Sequence, residues 1–163
     1  MPSLEIRRAT EQDLPAAAAL ARHLVLQHHE QDPSRFFLPE NVEEGYAWWF
    51  RRELAREAAV LLVAERDREL VGYAYGTLED RNFNLLIDRH GAIHDVLVAA
   101  EARRIGTGKA LLSRLIEALE ALGAPRILLY TMVDNFAAQA LFRSFGFRPT
   151  MLEMTRDSGA VAM

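Results

Sequence analysis

Arg103-Arg104-Ile105-Gly106-Thr107-Gly108 decides how this chain is read, because of what flanks it. Ala92-Ile93-His94-Asp95-Val96-Leu97-Val98 leads into it and has the apolar content of a strand. A long helical pattern, residues 109–122, leads out. In that pattern Leu111, Leu112, Leu115, Ile116, Leu119 and Leu122 recur at three and four and make one apolar face. The two glycines let the N–H groups of the turn point into one concavity. The start of the helix adds its own unpaired N–H groups and the positive end of its dipole. Such a turn is built for phosphate, so the expected ligand is a phosphate-bearing cofactor.

Upstream, residues 4–7 read as a short first strand. Thr10 caps a helix over about 11–27, with Asp13 three residues on as an imperfect capping box. Prolines bracket a loop at 32–39. Asn41 caps a second helix that runs to about residue 56 and carries Tyr46, Trp48, Trp49 and Phe50. Residues 60–64 and 70–78 form a hairpin around a polar turn. A polar connection, 79–89, is interrupted by Leu85-Leu86-Ile87. Downstream, Gly123 and Pro125 end the long helix. A strand at 126–132, a short helix from Asn135 to about residue 145 and a last strand at 151–155 follow. Residues 156–163 read as a frayed tail. This order predicts an α+β domain over 1–163, a mixed sheet with helices on its faces.

The chain has 163 residues, half of them hydrophobic, and a net charge of −4. That is enough for one sizeable core. Without cysteine there is no disulfide, no thiolate nucleophile and no thiolate metal site. This composition fits a reducing cytoplasm. The apolar runs are too short to span a bilayer, and the first eight residues lack a signal-peptide core. No basic block stands out, which argues against nucleic acid as a partner. His28 and His29 are adjacent, but neighbouring helical residues diverge by about 100° and chelate poorly; no metal is expected. Lys109 follows the glycine turn as in a P-loop, yet Ala110 occupies the Ser/Thr place.

The turn and the later helix together carry a resemblance. Arg103, Gly106 and Gly108 match a cofactor signature, and Asn135, Ala138, Leu141-Phe142 and Gly146-Phe147 match a second motif at its proper distance. The chain resembles the GCN5-related N-acetyltransferases, which move acetyl from acetyl-CoA to an amine. The resemblance implies a mostly antiparallel sheet. It implies that the amides of Arg104, Ile105, Gly106, Thr107 and Gly108, with Lys109 beside them, hold the CoA pyrophosphate. Leu97 and Val98 would offer backbone groups to the pantetheine arm, admitted by a splay between the strands at 92–98 and 126–132. Asn135 and Phe142 would lie near the cofactor; Asn135 as a plain helix cap and Phe142 as core packing are the alternatives. A homodimer is also implied.

Amine acetylation needs a base for the ammonium, a donor for the thioester oxyanion and a proton for the leaving thiolate. A backbone N–H near Val96 to Val98 serves as the oxyanion donor in this reading. His94 and Asp95 are the candidate catalytic pair. Strand alternation puts them on opposite faces. The run Ile93-His94-Asp95 is similar to a stretch in diamine acetyltransferases, and arylalkylamine acetyltransferases also hold a histidine at the position of His94. Glu79 is a third candidate. Many family members place an acidic tyrosine where this chain has Phe142, and Tyr130 is the substitute considered. The acceptor site would be walled by the region holding His28, His29, Phe36, Phe37, Trp48 and Trp49, with one tryptophan lining the pocket. The expected acceptor is a small-molecule amine. A non-catalytic acyl-CoA-binding domain and a protein or peptide acetyltransferase are the alternatives.

Overall fold

Three successive runs form the middle of the sheet because they are apolar on both faces. In the computed structural model, which describes residues 3–159, these are β2 (Ala59–Arg66), β3 (Glu69–Glu79) and β4 (His90–Val98). β1 (Leu4–Arg8) flanks β2, and β5 (Ile127–Leu129) flanks β4. The order is β1-β2-β3-β4-β5, antiparallel throughout except for the parallel β4–β5 pair.

Alternation along β2 feeds two cores. Val60, Leu62 and Ala64 join Leu111, Leu112, Leu115 and Leu119 of α3 (Thr107–Ala121) on one face. Leu61 and Val63 join Leu14 and Ala17 of α1 (Leu14–Gln31) and Phe50 of α2 (Val42–Leu54) on the other. Each large aliphatic side chain taken fully out of water contributes about 1.5–3 kcal/mol, so the leucine stripe of α3 is a main anchor of the sheet. That helix lies close because β3 has glycine beneath it. A Cβ on Gly76 would stand 2.9 Å from the Ala92 carbonyl oxygen and 3.2 Å from Leu119 Cδ1.

The α1 start is tied to the sheet by charge. Arg7 on β1 donates to both oxygens of Asp13, at 2.7 and 2.9 Å, and to Glu65 on β2 at 2.7 Å. The Thr10 backbone N–H also donates to Asp13, at 2.7 Å. These bonds hold the Asp13 carboxyl down at about 2. A 3₁₀ turn at Glu11–Asp13 precedes α1, which starts later and ends later than its sequence pattern predicts.

Two expectations fail at the other end of the chain. The strand read at 126–132 is regular only over Ile127–Leu129. The strand read at 151–155 is absent: the backbone there has no regular structure, and Met151, Leu152 and Met154 are exposed. A strand needs a partner ladder and a face to bury, and this segment has neither; Glu153 is instead ion-paired with Arg35. α4 (Phe136–Ser144) packs Leu141 and Phe142 on the α3-side core. The frayed tail read at 156–163 lies partly outside the described residues.

Candidate active site

β4 changes character at His94. Tyr75 pairs with Asp95 and Gly76 with Ile93, so β4 carries one extra residue there, a β-bulge. The bulge reverses the facing of everything after it. Ile93 packs in the α3-side core, whereas Leu97, also an odd-numbered residue, packs on the α1–α2 side. His94 and Asp95 therefore both line one cavity. This corrects the expectation that they point to opposite faces, which assumed an unbroken alternation.

The β4–β5 ladder ends at the same place. Its pairs are Gly91–Ile127, Ala92–Leu128 and Ile93–Leu129. From His94 onward, among the described residues, β4 keeps β3 as its one paired neighbour, so the two strands part there as the expected splay requires.

The cavity measures about 550 Å³ and lies between α2 and the β3–β4 sheet. Tyr46, Trp49 and Phe50 come from α2, and Tyr75 and Glu79 from β3. Trp49 is thus the tryptophan that faces the pocket. Trp48 points away, under the Arg52 guanidinium at 4.9 Å. Residues Tyr73, Tyr75, Thr77 and Glu79 alternate down one face of β3 and each meets a polar partner. The Tyr73 hydroxyl donates to Asp95 at 3.0 Å, and the Tyr75 hydroxyl donates to the buried Glu53 of α2. Glu53 also accepts from Arg56, at 2.7 Å. Thr77 Oγ1 lies 2.8 Å from His94 Nε2 and donates to Glu79. The His94 and Tyr75 rings stack with centroids 5.1 Å apart.

These surroundings tune the titrating groups. Burial pushes the Asp95 carboxyl up to about 6, against the opposing hydrogen bond from Tyr73 and the field of His28. His94 opens onto the cavity, but enough protein surrounds its ring to lower its pKa below the usual histidine value; Glu79 and Glu53 oppose that shift and Arg56 adds to it. Burial raises the Tyr46, Tyr73 and Tyr75 hydroxyls, which stay protonated donors at neutral pH.

The glycine turn stands at the far end of β4. Gly106 has φ +91° and Arg104 φ +63°, a left-handed pair that glycine adopts without a Cβ penalty and arginine does not. Ala110 makes the first helical bond, to the Gly106 carbonyl. The N–H groups of Thr107, Gly108 and Lys109 therefore have no carbonyl inside the helix. Among the described residues Thr107 Oγ1 is buried and has no hydrogen-bond partner. Arg103, Arg104, Ile105 and Lys109 are exposed. Arg103 Nε donates to the Val98 carbonyl at 3.0 Å, tying the turn to the end of β4.

The other predicted residues fall less centrally. Tyr130 directly follows the last β5 pair, is 75% exposed and does not line the cavity. Asn135 caps α4, its Oδ1 accepting from Ala138 N–H at 3.1 Å. Phe142 meets Phe147 edge-on at 6.1 Å. His28 and His29 end α1 and bond the Leu24 and Phe36 carbonyls. Sequence reasoning missed Thr77, Glu53 and Tyr75. The period-two run Tyr73, Tyr75, Thr77, Glu79 was the available signal.

A splayed strand pair lies between an amide-lined turn before a helix at one end of β4 and a cavity at His94 and Asp95, and known proteins share the fold that carries them. Among solved structures the fold resembles a mutant of the BH1408 protein from Bacillus halodurans, 22% identical, with a TM-score of 0.80 over 94% of this chain and 98% of that one. It also resembles the aminoglycoside N-acetyltransferase AAC(6')-Iy in complex with CoA, 15% identical, with a TM-score of 0.71 over 98% and 97%. An N-alpha-acetyltransferase of Sulfurisphaera tokodaii is 33% identical over 121 residues, 71% of this chain and 70% of that protein. Residues 22–147 match the Acetyltransferase (GNAT) family. The chain belongs to that family and is an acetyl-CoA-dependent N-acetyltransferase.

Proposed function

We propose that this enzyme acetylates the primary amine of a small molecule by direct transfer, with His94 as the base. One observation carries the reading. His94 and Asp95 line the acceptor cavity and also begin the half of β4 that β5 leaves unpaired. An amine in the cavity and an acyl group lying along that edge would meet at these two residues.

The residues present suit CoA. The unpaired amides of Thr107, Gly108 and Lys109 and the cations Arg104 and Lys109 would hold its phosphates. The buried, unpartnered Thr107 hydroxyl is a further polar group at that turn. The edge at Leu97 and Val98, which β5 leaves unpaired, would take the pantetheine arm as an added strand, with the arm replacing Arg103 at the Val98 carbonyl. When bound, acetyl-CoA supplies the thioester carbonyl that the free amine attacks, with the CoA thiolate leaving.

The chain's own groups do the rest. Asp95 and Glu79 draw the ammonium into a cavity whose aromatic walls are Tyr46, Trp49, Phe50 and Tyr75 and whose lining arginine, Arg56, is ion-paired with Glu53. His94 is neutral at physiological pH because its pKa lies below the usual value, so it can accept the ammonium proton. Phe142 has no proton to give the thiolate. Tyr130, beside the point where β4 and β5 part, is the hydroxyl assigned to that side.

The test is thiol release from acetyl-CoA against a panel of polyamines, arylalkylamines, amino acids, aminoglycosides and short peptides. The chain has no cysteine, so its own background is nil. Turnover with a small amine supports the proposal. Turnover with peptides alone would replace it with N-terminal acetylation, the reading favoured by the name of the Sulfurisphaera relative.

A further inference from the structure

We infer that Thr77 and Glu79 are positioning residues that fix the tautomer of His94, leaving Nδ1 bare and turned to the acceptor. The inference rests on the reading of His94 as the base.

Hydrogen-bond polarity carries the argument. An ionised carboxylate can only accept. The Thr77 hydroxyl has one proton, and its bond to Glu79 uses that proton. The same oxygen lies 2.8 Å from His94 Nε2. With its proton committed, Thr77 Oγ1 can only accept there. Nε2 must then carry the ring proton, and Nδ1 keeps the lone pair. The chain of donation runs from His94 through Thr77 to Glu79.

The setting holds this arrangement in place. Thr77 is 1% exposed, so water does not compete for its hydroxyl. The Tyr75 ring stacked on His94 limits rotation of the imidazole. Ile93 packs on the α3-side core, so His94, the next residue, faces the cavity, and the β-bulge brings Asp95 to the same side. His94 is exposed there, and Nε2 is occupied on the buried side, so Nδ1 is the nitrogen an acceptor meets. When Nδ1 takes the ammonium proton, the imidazolium stays bonded through Nε2, and the Glu79 charge stabilises it across one hydroxyl. The proton moves once, from the ammonium nitrogen to Nδ1; Thr77 keeps its hydroxyl proton and Glu79 stays an ionised acceptor. The arrangement generalises a base oriented by a third group, with threonine as intermediary.

The experiment is two-bond ¹H–¹⁵N NMR of the histidine rings above the His94 titration, with His94→Ala used to assign its signals among the five histidines. The two nitrogens of a neutral imidazole resonate far apart, so the tautomer is read directly. The expected result is a protonated Nε2 and a bare Nδ1. A protonated Nδ1 would overturn the inference. Thr77→Val, close in shape but without the hydroxyl, should mix the tautomers and lower kcat about tenfold, the lower end for losing a group that orients another, with acceptor KM little changed. Thr77→Ser should restore both. Glu79→Gln should also mix the tautomers, because an amide can donate and frees the hydroxyl to turn. Unaltered tautomer and kcat in Thr77→Val would overturn the positioning role. If His94→Ala kept full activity, the base assignment would fall instead, and the wild-type tautomer would still be legible.

Discussion

The two halves of β4 follow different rules although they are one strand. Residues 91–93 are laddered on both edges, to β3 and to β5. There is no slack: a Cβ on Gly91 would meet Ala124 and Ile127 at 3.2 Å. Residues 95–98 are laddered to β3 alone. The change falls at His94, where the bulge sits and the parallel ladder stops. The closed half carries stability. The open half leaves backbone groups for a ligand and turns two titrating side chains into a cavity. A strand can thus serve as scaffold and site in sequence, separated by one inserted residue.

Cutting into each half sharpens the contrast. Ile93→Ala in the closed half should cost about 2–5 kcal/mol, as for other fully packed aliphatic residues. Val96→Ala in the open half should cost less and should raise the KM for acetyl-CoA. Equal denaturant midpoints for the two variants would erase the distinction. Gly76→Ala should cost about 1–3 kcal/mol, because its methyl has backbone in its way beside the bulge. A Tm equal to wild type would show that the bulge tolerates repacking.

Asp95 gives the open half a pH signature. Its folded-state pKa is raised from 3.8 to about 6, so folding favours the protonated form. Its contribution is fully present below about pH 4 and is lost as pH rises through about 6. Asp95→Asn should remove that decline, stabilise the fold at pH 7 and raise acceptor KM. The groups facing it, Tyr73, Tyr46 and His28, are unchanged in this variant. Asp13, tied to the scaffold, has the opposite sign. Its pKa is lowered from 3.8 to about 2, so its contribution holds above about pH 4 and fades toward pH 2. Stability curves against pH for wild type, Asp95→Asn and Asp13→Asn check both signs. The smallest effect separates the tryptophans: Trp49→Ala should raise acceptor KM, and Trp48→Ala should not.

Much of the scaffold was legible in the sequence. The leucine stripe of α3, the two glycines before it and the β2–β3 hairpin each follow from local periodicity and turn chemistry. The bulge was not legible, because one inserted residue leaves no mark on an apolar pattern, and strict alternation misplaced His94 relative to Asp95. Nor was the end of the β4–β5 ladder, which depends on the course of two distant segments. Residues 151–155 failed for a related reason: their apolar content suits a strand, but no edge faces them. Glu53 was hidden because α2 reads as amphipathic and a glutamate on such a helix is normally solvated. Its distant partner is Tyr75, which arrives from β3; Arg56, three residues on, is the local one.

The central claim is that His94, at the bulge where the β4–β5 ladder stops, is the base that meets the acceptor. Single-turnover acetyl transfer by wild type and His94→Ala, at saturating acetyl-CoA from about pH 6 to about pH 10, tests it most directly. The variant should be about 10²–10⁴-fold slower at neutral pH, the range for losing a general base. The gap should close toward high pH, where the amine loses its proton unaided. Glu79, Glu53, Arg56 and Tyr75, which surround the ring, remain in place in both proteins. A variant within twofold of wild type at neutral pH would contradict the account.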